Sequence, residues 1–319
     1  MATSKTKKKV ATAKPAPKKA KTAAQSAKTT VTRVTSAPST TKKTALGGKP
    51  KLPSNLINIV LAESIGTFVL TLVAIVATSY FMLPFYIGLV MVVMVLAIGA
   101  ISGSHINPAV TFGLWTMRRI RTALVPFYWI AQLLGAMAAI VLVGAVSGGV
   151  FSISFENFLD FSWSIFALEL VGTAIFMFGF AAVINRTDVR STGRAIGLGM
   201  SLTIGLVATG ALVSYAQSNA VARQQAIQAE AAADDQNQPQ EGERSYPREV
   251  YINGATLNPA IALATTERTD SQLQGNPTVQ KDEVAYTRLG IEVILATLIG
   301  AALGGNLFLL VNYRSQIEA

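Results

Sequence analysis

Ser102-Gly103-Ser104-His105-Ile106-Asn107-Pro108-Ala109-Val110-Thr111 follows a long apolar run, and its Asn-Pro-Ala triplet recurs in Asn253-Gly254-Ala255-Thr256-Leu257-Asn258-Pro259-Ala260. Asn is a favoured helix N-cap and Pro a favoured first helical residue, so each triplet reads as a helix start. The apolar pieces that follow, near 107–116 and 258–265, are too short to cross a bilayer. Non-spanning helices at membrane depth are tolerated only where protein buries them or a wet cavity receives them. Two such starts, in corresponding places, predict two re-entrant half-helices whose N-termini meet inside the membrane.

Working outward, six segments reach the roughly 17–25 residues a span requires. They lie near 56–80, 85–102, 122–147, 163–184, 194–215 and 285–311. The 319-residue chain is 51% hydrophobic and only 14% charged, against about 25% in soluble proteins. Its mean hydropathy is +0.43. Glu63-Ser64-Ile65-Gly66-Thr67 in the first span and Glu169-Leu170-Val171-Gly172-Thr173 in the fourth share the pattern E-x-x-G-T. Each precedes an Asn-Pro-Ala segment. Three spans per half turn the second half upside down, and inverted repeats with interrupted helices carry their site near the midplane. The fold expected is an all-α membrane protein with six transmembrane helices plus two re-entrant half-helices as an inverted repeat.

Basic residues near span ends set orientation. Arg118, Arg119 and Arg121 follow the first half-helix, Arg186, Arg190 and Arg194 separate spans four and five, and Arg314 follows span six. These loops and both termini are expected on the cytoplasmic side of the plasma membrane. Glu156, Asp160, Glu230, Asp234, Asp235, Glu241 and Glu243 then fall outside. The net charge of +10 belongs to the N-terminus: residues 1–51 hold 14 of the 27 Lys and Arg and none of the 17 Asp and Glu. With almost nothing large and apolar, that tail is expected to be disordered. It has no apolar core or cleavage site of a secretory signal. It suits a solvated cytoplasmic tail, or contact with anionic lipid at about 1 kcal/mol per basic residue near the surface. Nucleic acid is a poor fit, because no aromatics interleave with its lysines. Residues 52–319 are expected to form the membrane domain, with a long outer insertion at 216–252. Ala220 to Ala233 in it favours helix, and the remainder reads as disorder.

With no Cys and one His, the chain has no disulfide, thiolate nucleophile or His-cluster metal site, and no cofactor is implied. No paired nucleophile and base and no phosphate loop supports an enzyme. The two triplets suit a pore for small neutral molecules instead. Asn107 and Asn258 carry amide donors, and each half-helix brings about half a positive charge to the midplane, a barrier to cations. Gly103, Ser104 and His105, and Gly254, Thr256 and Leu257, would offer backbone carbonyls. An ion-coupled transporter would need more titratable groups than Glu63, Glu169 and His105. A non-conducting scaffold would act through its charged tail and acidic loop.

These motifs, with Ala62-Glu63, Thr67-Phe68 and Ala195-Ile196-Gly197-Leu198, resemble the major intrinsic proteins, the aquaporins and aquaglyceroporins, over residues 56 to 313. The resemblance implies a homotetramer with one pore per subunit, and buried Glu63 and Glu169 bracing the re-entrant loops. It also marks a departure. The family's second triplet is usually followed by Arg, and here Ile261 follows. Ungapped matching puts Ile87, Ile204, Ala255 and Ile261 at the outer selectivity filter, with Gly205 beside the least secure of them. Ala262 stands where the glycerol-selective branch usually has Asp. Such a filter is apolar and implies a permissive channel for water, glycerol, urea, ammonia or peroxide. Glu292, in the sixth span, matches no family role.

Overall fold

The computed structural model describes residues 52–77, 81–147, 153–232, 246–275 and 283–317. The Lys-rich segment 1–51 and the acidic stretch 233–245 lie outside them. Nine α-helices occur among the described residues: α1 Leu56–Val76, α2 Leu83–Ser102, α3 Pro108–Thr116, α4 Val125–Ser147, α5 Trp163–Asn185, α6 Ser191–Ala232, α7 Pro259–Ala264, α8 Asp270–Leu273 and α9 Ile291–Ile317. Six of the helical segments are long and apolar enough to cross a membrane. α3 and α7 are the two short ones that open on Asn-Pro-Ala. β-bridging among these residues is limited to the isolated pairs Ser154–Tyr286 and Thr266–Thr287.

Small residues set where the spans cross. An ideal Cβ on Gly135 of α4 would strike the Ser64 carbonyl and the Phe68 nitrogen of α1. One on Gly300 of α9 would strike the Leu170 carbonyl and the Ala174 nitrogen of α5. Ser64 and Phe68 stand one and five residues after Glu63. Leu170 and Ala174 stand one and five residues after Glu169. The two crossings are therefore counterparts, and the inverted repeat is carried in three dimensions. Gly88 of α2 meets Gly199 and Thr203 of α6 in the same close fashion. Without a hydrophobic force between helices in lipid, such close backbone approach supplies the packing energy.

The largest of the interior's apolar clusters is drawn from α1, α2, α3, α5, α6, α7 and α9, including Leu70, Ile98, Val110, Phe176, Leu202 and Ala301. Outward faces are also apolar, with Leu89, Val93, Leu96, Leu303, Leu307 and Leu310 exposed. That inside-and-outside apolarity is what a bilayer as solvent requires.

Arg119 at the end of the first half-helix bonds Asn185 at the end of α5, so the two arginine-rich loops share one end of the bundle. The opposite end is built from 153–162, 246–275 and 283–290. Arg248 donates to the Asp160 carbonyl (2.6 Å) and to Glu267 (2.6 Å), and its Nη1 lies 2.9 Å from Glu292. Glu292, to which the sequence assigns no role, is thus ion-paired and fully buried, its carboxylate folded over Gly290.

Two boundaries differ from the sequence expectation. The last span begins at Ile291 rather than 285, because Tyr286, Thr287 and Arg288 are extended and bond Glu267, Ser154 and Thr265. α6 does not stop near 215 but continues to Ala232. The Ala- and Gln-rich stretch favours helix, and Gln217 anchors it, donating to the carbonyls of Glu249 (3.3 Å), Val250 (3.3 Å) and Ile252 (2.7 Å).

Candidate functional site

Each Asn-Pro-Ala triplet caps its own half-helix and reaches across to the other. The Asn107 side-chain oxygen accepts from the Ala109 N–H (2.8 Å), and that of Asn258 from Ala260 (3.0 Å). The Asn107 amide donates to the Leu257 carbonyl (2.8 Å), and the Asn258 amide to the Ile106 carbonyl (3.1 Å). The loops are thereby tied at one level, each by the residue preceding the other's Asn. Both Asn are almost fully buried.

The backbone before each Asn is forced into an uncommon conformation. Ile106 has φ 42° and Leu257 φ 52°, both in the left-handed region. A β-branched residue there is a genuine outlier, and such conformations cost of order 1–3 kcal/mol each. They persist because the surroundings hold them. Glu63 accepts the His105 and Ile106 N–H groups (2.9 and 2.7 Å). Glu169 accepts those of Thr256 and Leu257, both at 2.8 Å. Both carboxylates are 0% exposed. One helical turn on, Gly66 leaves room for the Ile106 side chain and Gly172 for that of Leu257. The E-x-x-G-T repeat thus has a physical meaning: the Glu holds the loop's N–H groups, and the Gly receives the strained residue's side chain.

The loop carbonyls fall into two sets. Those of Ile106 and Leu257 are engaged by the opposite Asn. Those of Gly103, Ser104, His105, Gly254 and Thr256 accept no hydrogen bond from the described residues. His105 is buried, with Nδ1 3.1 Å from the Thr111 hydroxyl and its ring stacked on Tyr128 at 4.3 Å. A cavity of about 430 Å³ reaches this histidine and Gly103 from the arginine-rich end, past Arg119 and Arg121.

Of the four filter residues named from sequence, three belong to the interior and one does not. Ile87 (3% exposed) and Ile261 (6% exposed) share the central cluster, and Ala255 packs against it. Ile204 is 53% exposed, on a stripe of α6 with Ile196, Met200 and Val207. Leu198, Leu202 and Leu206 are the α6 side chains that enter the cluster instead, while Thr203 is committed to α2 and Gly205 to α5.

Sequence reasoning missed Arg288. Its guanidinium is 2.9 Å from Glu169, and its main-chain N–H bonds the Thr265 carbonyl just past α7 (2.9 Å). Nothing in its local sequence marks it, since its partner is 119 residues away.

Comparison with known proteins follows the same lines. A family model described as "Major intrinsic protein" matches residues 53–224. The chain is 38% identical over 117 residues to aquaporin NIP2-3 of Zea mays, covering 37% of this chain and 38% of that protein. It is 37% identical to aquaporin Z of Photorhabdus laumondii over 154 residues, 42% of this chain and 65% of that one. The matches thus span less than two thirds of these relatives' length. Among solved structures, the aquaglyceroporin from Plasmodium falciparum aligns with a TM-score of 0.45 at 19% identity, over 79% of this chain and 93% of that chain.

Proposed function

Because the chain belongs to the major intrinsic protein family, we propose that it is a passive membrane channel for water and small neutral solutes, with glycerol, urea, ammonia and peroxide in its range. The observation that carries this reading is the pair of reciprocal Asn bonds between the loops. Each amide has two N–H groups and spends one on the opposite loop, so one donor per Asn remains for a passing oxygen. The unengaged carbonyls of Gly103, Ser104 and His105 on one side, and of Gly254 and Thr256 on the other, are the matching acceptors. Apolar side chains form the facing wall. A small neutral molecule is handed from acceptor to donor to acceptor, while an ion would shed its hydration for too few ligands.

The outer constriction in this reading is Ile87, Ala255 and Ile261, with α6 closing the remaining side. The charged donor that would orient water there is absent at position 261. A permissive filter follows, and a hydrophobic ring of this kind also gates by dewetting. The arginine-rich end is the cytoplasmic one, by the positive-inside tendency. The protein would sit in the plasma membrane as a homotetramer, one pore per subunit, with both termini in the cytoplasm.

Stopped-flow swelling of proteoliposomes tests the reading across water, glycerol, urea and ammonia. Flux of water with at least one of the larger solutes is expected. Water flux with neither glycerol nor urea would overturn the permissive filter, and flux equal to that of empty liposomes would overturn the channel.

A further inference from the structure

The two loops are braced alike at first contact and differently one step further out. In the first half, the carboxylate of Glu63 also accepts from the Gln132 amide of α4 (2.8 Å), which reaches Thr111 as well (3.0 Å). The counterpart of Gln132, three residues before the crossing glycine of α9, is Thr297. Its hydroxyl turns back to its own helix, at the Val293 carbonyl (2.8 Å). The second half takes its extra donor from Arg288 in the segment before α9. Glu169 Oε1 receives the Thr256 N–H, the Thr256 hydroxyl (3.1 Å) and the Arg288 guanidinium together. Arg288 is 3% exposed and also holds the far end of the loop through Thr265. Its Nε and Nη1 have no hydrogen-bond partner among the described residues.

The electrostatic consequence is asymmetric. Among the described residues Glu63 is met by neutral donors only, whereas Glu169 is met by a permanent cation. In a low-dielectric interior an unpaired carboxylate attracts cations strongly at several ångströms, and a paired one presents a much weaker dipole. The second carboxylate accepts from the loop that leads to Ile261, the position where the resemblance expects an Arg.

We propose that Arg288 is a positioning and charge-balancing residue of this channel. By neutralising Glu169 behind the second loop, it makes exclusion of protons and metal cations at the outer constriction independent of a charged side chain at position 261. The proposal rests on the channel reading above.

The test is a panel of variants in proteoliposomes, with swelling for water and a pH-sensitive dye and potassium flux for leak. Arg288→Gln is expected to raise cation leak per unit water flux at least fivefold. Arg288→Lys retains the charge and should stay tight. Arg288→Met is uncharged and of similar length, and should leak like Arg288→Gln. Arg288→Gln with wild-type tightness and intact water flux would overturn the proposal, as would Arg288→Lys leaking as much as Arg288→Gln. If Arg288→Gln yields no folded protein, Arg288→Lys carries the test: it keeps the charge and must remain tight, and a leak there overturns the idea. Absence of water flux in the wild-type protein would instead sink the channel reading, so the two failures are distinguishable.

Discussion

At the scale of single residues, the glycine of the E-x-x-G-T repeat makes the sharpest demand. A Cβ on Gly172 would sit 2.6 Å from Leu257 Cδ2 and 2.6 Å from Thr209 Cγ2. One on Gly66 would meet Ile106 Cγ2 and lie 2.8 Å from Ile98 Cδ1. Gly66→Ala and Gly172→Ala should each destabilise by about 1–3 kcal/mol through overpacking, read as a lower thermal midpoint of the purified protein in detergent. Glu63→Leu removes the acceptor of two buried N–H groups, at about 1–3 kcal/mol each. It should lower the midpoint further and abolish water flux, because the strained Ile106 loses its support; flux at the wild-type level would count against the bracing role. The repeat is visible in the sequence as a spacing, but which side chain the glycine receives is not, because Ile106 is 40 residues from Gly66 and Leu257 is 85 from Gly172.

At the scale of elements, α6 departs furthest from a plain span. Its 42 residues extend about 63 Å at 1.5 Å per residue, roughly twice the 30 Å hydrocarbon core. Propensity explains why the chain continues as helix beyond Leu212, since Ala and Gln form helix readily. It does not explain why the extension stays attached. Gln217 does that, together with the small cluster of Ala220, Val250 and Tyr251. Gln217→Leu should leave the carbonyls of Glu249 and Ile252 poorly satisfied and speed amide hydrogen exchange in 248–254, while exchange in α1 and α5 stays slow. Unchanged exchange in 248–254 would mean that Arg268, which also donates to the Val250 carbonyl (2.6 Å), holds this segment alone.

At the scale of the whole molecule, the filter decides what passes. Ile261→Arg places a guanidinium beside Ile87 and Ala255, so glycerol flux should fall at least threefold relative to water flux. Equal flux ratios in the two proteins would move the constriction elsewhere. With no Cys in the chain, mercurials should leave flux unchanged at concentrations that block cysteine-bearing channels. Sequence alone determined the six spans, the two half-helix starts and the inverted repeat, because hydropathy, capping chemistry and motif spacing are local properties. The tertiary structure decided the rest. It turned each Asn amide onto the opposite loop, withdrew Ile204 to an exposed stripe of α6, and supplied Arg288 and the Arg248–Glu292 pair from distant segments. Those outcomes depend on which helix faces meet, and on the low-dielectric interior that obliges every buried charge to find a partner.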